Sequence, residues 1–222
     1  MGIDPDAVLW SAPERERAGR PLLVLLHGYG SHEGDLFSLA RSLPLEPVIA
    51  SVRAPLAQGP GYAWFPPVGP LLTGQSPAGQ VPAGQPSVEE RFAAIDESAS
   101  ALIDWLDTTD STGVGLLGFS QGAAMALQLL REQPTRFDYV VALSGFVVPN
   151  DHGGDARLAE LRPPVFWGRG TDDTVIASSL IDHTIEWLPA HSTLTEGIYE
   201  GVGHWVSPDE ISELGAFIRS QF

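Results

Sequence analysis

Short, unbroken apolar runs alternate along the chain with stretches in which apolar residues recur every three or four positions. Residues 21–26 read Pro-Leu-Leu-Val-Leu-Leu, and similar runs occupy 47–52, 114–119, 139–143, 164–168 and 193–199. Continuous runs, rather than strict alternation, are what strands buried on both faces of a parallel sheet produce. Between them lie helix patterns. Ser87 stands three residues before Glu90, a capping-box spacing, and Phe92, Ile95, Ala99, Leu102, Ile103 and Leu106 then share one helical face. Residues 123–131 contain no breaker before Pro134, 178–188 form another helical stretch, and 208–219 place Ile211, Leu214, Phe217 and Ile218 on one side. Strands alternating with helices predict an α/β layered fold, a mostly parallel sheet flanked by helices.

One stretch breaks this rhythm. Between Ala54 and Val88 there is no charged residue, and within it 66–86 is dense in Pro and Gly, with Pro-Ala-Gly-Gln occurring twice. Such a segment is irregular. It reads either as a floppy insertion at about 66–87 or as a lid or pocket wall, with Leu71, Leu72 and Val81 as its apolar contacts. No second domain is apparent, so 1–222 reads as a single domain.

Composition narrows the chemistry. The 222-residue chain has no Cys, and its 12 basic residues are all Arg against 28 acidic ones, for a net charge of −16. Without Cys there is no disulfide, thiolate metal site or Cys nucleophile. Without Lys there is no Schiff base, Gly-Lys-Ser/Thr phosphate loop or Ser–Lys dyad. The charge argues against nucleic acid and anionic membrane surfaces as partners. No apolar run approaches a membrane span, and the acidic first residues do not resemble a secretion signal. The expected location is cytoplasmic. Isologous homodimers are the commonest assemblies of such chains, but no sequence feature marks an interface.

The chemistry concentrates at Gly118-Phe119-Ser120-Gln121-Gly122, a Gly-x-Ser-x-Gly turn with an apolar strand before it and an Ala/Leu-rich helix after it. A nucleophilic serine needs this sharp turn, which exposes its hydroxyl at a helix N-terminus where negative charge is stabilised. It also needs a base and an orienting acid, in the chain order Ser, acid, His. His204, in a Gly-rich loop after the last strand, fits the base. His27 precedes the serine, His152 leaves no room for an acid, and His183 and His191 fall in or after a helix. The acid belongs on the loop after the fifth strand, where Asp172 and Asp173 are adjacent and spacing does not choose between them. Two backbone N–H groups would form the oxyanion hole, those of Gln121 and of Tyr29 in the early His27-Gly28 turn.

These pieces together resemble the phospholipase/carboxylesterase branch of the α/β-hydrolase superfamily, which includes acyl-protein thioesterases. The resemblance rests on Leu26-His27-Gly28-Tyr29-Gly30 with Asp35, Ala63-Trp64-Phe65, Gly118-Phe119-Ser120-Gln121-Gly122-Ala123, Leu143-Ser144-Gly145, Asp173-Thr174-Val175-Ile176 and Gly203-His204. Gln directly after the serine is particular to this branch. The family's acid loop carries Asp, one variable residue and two β-branched apolar residues, a frame that implies Asp173 as the acid, with Ala177 where Pro is usual. Its oxyanion donors fall at Tyr29 and Gln121. The Pro/Gly insertion and Trp205 depart from the usual pattern.

The resemblance implies an α/β-hydrolase without a large cap domain. It also implies a serine carboxylesterase with Ser120, Asp173 and His204 as its triad, acting on small to medium esters, with thioesters or lysophospholipids as the alternative. A non-catalytic binding protein on the same fold would be expected to have lost a triad member. Trp64, Phe65, Leu71, Val175 and Trp205 are the candidates for substrate contacts. The mechanism requires neither a metal nor an organic cofactor.

Overall fold

The computed structural model describes residues 2–44, 46–66 and 87–222. Among these residues nine strands appear in chain order: β1 (Leu9–Trp10), β2 (Arg20–Leu26), β3 (Val48–Val52), β4 (Leu56–Gln58), β5 (Gly61–Ala63), β6 (Ser111–Phe119), β7 (Tyr139–Leu143), β8 (Pro164–Gly170) and β9 (Thr193–Tyr199). The α-helices among the described residues are α1 (Gly34–Phe37), α2 (Val88–Leu106), α3 (Gln121–Glu132), α4 (Asp155–Leu161), α5 (Ser178–His191) and α6 (Pro208–Arg219). Seven strands form one sheet in the order β1-β3-β2-β6-β7-β8-β9. Within this sheet β1 is antiparallel to its neighbour and the other pairs are parallel, while β4 and β5 form a separate antiparallel pair.

The apolar runs divide their side chains between two layers, because successive strand residues point to opposite faces. Leu22, Val24 and Leu26 of β2 join Ala50, Leu116, Ala142 and Trp167 in the larger layer, together with α3 and most of the inward face of α2. Leu23 and Leu25 join Ile49, Leu117, Val141 and Phe166 on the other face, under Leu214, Phe217 and Ile218 of α6. Helix α3 is buried from Gln121 through Arg131. It is the central helix, so its stretch reads as apolar nearly all round. The one charge there, Arg131, is 1% exposed. It pairs with both oxygens of Asp155 at 2.8 Å and donates to the Val148 and Asn150 carbonyls.

The six long strands and four long helices lie where the apolar patterns put them. The elements without a sequence signal are short. β1 has two residues, α1 is a single turn, α4 has seven residues, and the β4–β5 hairpin lies in the uncharged stretch around Gly59-Pro60. Segments this brief hold too few residues to display a period. The Pro/Gly insertion, including Leu71, Leu72 and Val81, lies outside the described residues. Among the described residues no helix is long and apolar enough to cross a membrane.

Helix α6 starts with a full capping box. Glu210 N–H donates to Ser207 Oγ at 3.1 Å, and Ser207 N–H donates to a Glu210 carboxylate oxygen at 3.3 Å. The box is buried, unlike the exposed one at Ser87 and Glu90. Glu210 is 0% exposed, and its other oxygen has no hydrogen-bond partner among the described residues. Burial, with Glu213 adding repulsion, pushes its carboxyl from 4.5 up to about 7. The folded protein therefore keeps a proton that the unfolded chain releases. Stability from this group is complete below pH 4.5 and is lost as pH rises through about 7. Replacing Glu210 with Gln removes the titration. Denaturant unfolding at a series of pH values should show Glu210→Gln gaining on the wild type by up to about 3 kcal/mol between acid and mildly alkaline pH.

Candidate active site

The parallel strands all deliver their C-terminal ends to one edge of the sheet, and the loops leaving those ends build the site. Ser120 sits between β6 and α3 with φ 54° and ψ −116°. A non-glycine residue in that region is strained by about 1–3 kcal/mol and persists only where its surroundings hold it. The Ser120 N–H donates to the Leu143 carbonyl at the end of β7, at 2.8 Å. The flanking glycines are required by close approach. A Cβ on Gly122 would lie 1.9 Å from the Leu26 carbonyl oxygen, and one on Gly118 would lie 2.2 Å from that of Gly122. The N-terminus of α3 is thus pressed against the end of β2.

His204 follows β9 on a short loop. Its Nδ1 is 2.7 Å from Asp173 Oδ2 and its Nε2 is 3.0 Å from Ser120 Oγ. Residues from three separate loops therefore form one chain of hydrogen bonds. With Nδ1–H donated to the carboxylate, Nε2 holds the lone pair that accepts the serine hydroxyl. The Asp173 side chain is 4% exposed, and its Oδ1 accepts from the N–H groups of Val175 and Ile176 at 2.9 and 3.3 Å. The Phe119 ring packs on the imidazole at 4.9 Å between centroids. Asp172 is exposed, accepts from Thr171 Oγ1 at 3.2 Å and does not face the imidazole.

The backbone N–H groups of Tyr29 and Gln121 have no acceptor among the described residues. The turn that carries Tyr29 is held from below by His27. Ala54 N–H donates to His27 Nε2 at 3.1 Å, so Nδ1 carries the ring proton and donates to the Gly28 carbonyl at 2.8 Å. Burial pushes the His27 pKa below its ordinary value, only partly offset by the bond to Gly28, which keeps this neutral tautomer in place. From the side, the turn is bridged to β5 through Gly30 N–H to the Tyr62 carbonyl and Tyr62 N–H to that of Ser31, each at 2.8 Å.

The substrate-contact candidates separate into two groups. Trp64 and Phe65 are 0% exposed and belong to the larger apolar layer. The Trp64 indole donates to the His27 carbonyl at 2.8 Å, and Ser98 Oγ donates to the Trp64 carbonyl. Val175 and Trp205, in contrast, are 64% and 56% exposed beside Asp173 and His204, and Tyr29 is 41% exposed. Leu71 lies outside the described residues.

The Gln121 side chain has a role that no spacing announced. Its Oε1 accepts from Trp64 N–H at 2.8 Å and its Nε2 donates to the Phe65 carbonyl at 2.7 Å. The amide thus pairs with the backbone of a segment 57 residues away in the chain, just after β5. The unusual Gln after the serine was the only sequence signal. Among the described residues no cluster of His, Asp and Glu could hold a metal ion.

The mostly parallel sheet, with a strained serine between strand and helix and a His–Asp pair on later loops, is the α/β-hydrolase arrangement. Residues 12–222 match the family model described as Phospholipase/Carboxylesterase, and the chain belongs to that family. It is 31% identical to acyl-protein thioesterase 1 of Saccharomyces cerevisiae over 106 residues, 46% of this chain and 47% of that one. The match thus spans about half the length of that relative. With acyl-protein thioesterase 1 of Kluyveromyces lactis the identity is 23% over 220 residues, 92% and 93% of the two chains. Among solved structures it resembles esterase PE8, with TM-score 0.71 and 26% identity over the full length of both chains. A Bacillus cereus carboxylesterase shares the fold with TM-score 0.72 at 22% identity, covering 97% of this chain and 94% of that one.

Gln121→Met keeps the shape and the backbone N–H but leaves Trp64 N–H and the Phe65 carbonyl buried without partners. Each costs about 1–3 kcal/mol. Urea unfolding should show a loss of about 2–5 kcal/mol with an unchanged m-value.

Proposed function

We propose that the protein is a serine carboxylesterase that hydrolyses small to medium carboxylic esters through an acyl-enzyme. The observation that carries this reading is the hydrogen-bonded chain from Asp173 through His204 to Ser120, at 2.7 and 3.0 Å. Ser120 Oγ attacks the ester carbonyl carbon while His204 Nε2 takes its proton. Asp173 holds the ring in the Nδ1–H tautomer and stabilises the imidazolium that forms. The carbonyl oxygen becomes an oxyanion received by the N–H groups of Tyr29 and Gln121, aided by the N-terminus of α3. His204 then returns the proton to the leaving alcohol. In the second half, His204 activates water to release the acid and restore Ser120.

The curated relatives named acyl-protein thioesterase 1 favour a second reading of the substrate, an acyl thioester. Both readings share the same steps and differ in leaving group and acyl length. The exposed Tyr29, Val175 and Trp205 beside the site would contact the acyl part in either case. Rates on p-nitrophenyl acetate, butyrate, octanoate and palmitate, set against the matching thioesters, separate them. The carboxylesterase reading expects the highest kcat/KM on the short and medium esters. A preference for palmitoyl thioester would replace it with the thioesterase reading.

Three substitutions test the chemistry. Ser120→Ala should abolish both ester turnover and labelling by a fluorophosphonate, whose adduct in the wild type belongs on the Ser120 peptide. Asp173→Asn should lower kcat by about 10⁴-fold through the wrong imidazole tautomer, while Asp172→Asn stays within a few-fold of wild type. Wild-type turnover in Ser120→Ala, or the reverse ranking of the two Asp variants, would overturn these assignments.

A further inference from the structure

The opposite edge of the sheet holds a cavity that the hydrolase chemistry does not use. It has a volume of about 410 Å³ and lies where β2, β3 and β6 begin, with Leu22, Val48 and Ser111 among its lining residues. Ser120 follows the other end of β6, so strand length alone separates the two places by roughly 20 Å or more. The volume is within the range that holds a small organic molecule.

The walls are apolar below and charged at the mouth. Leu22 and Val48 are 3% and 2% exposed, and Trp105 at the end of α2 is 7% exposed. Trp10 completes an indole pair, with its ring 6.0 Å from that of Trp105 and tilted by 44°. Arg17 lies over the Trp10 ring, its guanidinium carbon 4.2 Å from the centroid. Its Nε–H donates to the Ala12 carbonyl at 2.9 Å. The contact with the ring and this bond hold the guanidinium in place, while its two terminal nitrogens have no acceptor among the described residues. The segment carrying Arg17 is anchored at both ends, by Ser11 N–H to the Ile49 carbonyl at 2.9 Å and Gly19 N–H to that of Asp110 at 3.2 Å. The cavity therefore has an ordered rim.

We propose that this cavity is a second binding site, for a monocarboxylate with an aromatic or alkyl body. A guanidinium held by its Nε, with its outer nitrogens open, offers the two-point geometry that a carboxylate matches. The two indoles and the buried aliphatic floor accept a flat or extended apolar body. Glu14, Asp110 and Arg20 also line the cavity, and Arg20 Nη2 donates to the Glu46 carbonyl at 3.0 Å. The two carboxylates act against phosphate esters and dicarboxylates and favour a ligand with a single negative charge. Acids released by ester hydrolysis belong to this class, but binding here does not depend on the hydrolase reading.

Calorimetric titration with phenylacetate and octanoate, and with phenylacetamide and octanamide as neutral counterparts, tests the site without any turnover. The wild type should bind the carboxylates about tenfold or more tightly than the amides. Arg17→Met should weaken the carboxylates by about tenfold and leave the amides unchanged. Ala18→Trp, at an exposed lining position, should fill the cavity and weaken both. Unfolding midpoints matching the wild type would show that both variants are folded. Equal binding of acids and amides would overturn the proposal, as would wild-type carboxylate affinity in Arg17→Met. No heat with either acid at about 10 mM would also overturn it.

Discussion

The contact on which the site depends is the approach of the α3 N-terminus to the end of β2. Gly122 lies so near the Leu26 carbonyl that no side chain fits between them. That approach holds Ser120 at its strained positive φ and brings the N–H of Gln121 beside the turn bearing Tyr29. It is maintained by burial. Helix α3 is enclosed from Gln121 through Arg131, and the sheet beneath it is apolar on both faces. The layered core supplies the free energy that keeps one residue strained, which is the usual relation between a scaffold and a reactive turn.

Around that contact, several polar side chains act on backbone rather than on substrate. His27 sets the Gly28–Tyr29 turn as a neutral imidazole, Gln121 grips the Trp64–Phe65 backbone, and Ser98 holds the Trp64 carbonyl. Each is buried and uses its hydrogen-bonding capacity on a segment remote in sequence. Buried polar groups must be satisfied, so a mismatch at any of them is costly. These bonds connect the nucleophile turn, the oxyanion turn and the segment leading to the Pro/Gly insertion. A substitution at one should disturb the others.

Much of this was legible along the chain. The apolar runs located the inner long strands, because a strand buried on both faces admits almost no polar residue, whereas β9 at the sheet edge is largely exposed. The turn around Ser120 was legible because its glycines answer to backbone contact rather than to side-chain chemistry. β1, α1, α4 and the β4–β5 hairpin were not, since none carries an unbroken apolar run and each is too brief to show a helical period. The burial of Trp64 and Phe65 in the core was not legible for a related reason. Large aromatics beside an active-site motif suit a pocket wall and a core equally well, and hydrophobicity alone does not separate the two.

The sequence by itself determined the layered α/β class, the strand-to-helix turn at Ser120 and the family membership. These depend on local pattern and on residues whose identity is constrained by neighbours close in the chain. The family frame pointed to Asp173, but only the tertiary structure displayed its contact with His204, the clamp of Gln121 on a segment 57 residues away, and Arg17 held over Trp10 with its outer nitrogens open. The two adjacent carboxylates have the same chemistry and nearly the same position in sequence. Which of them turns inward is set by the backbone of the β8–α5 loop, where the N–H groups of Val175 and Ile176 capture one carboxylate and leave the other in solvent. Long-range geometry of this kind arises from packing, and the order of residues along one strand or helix does not encode it.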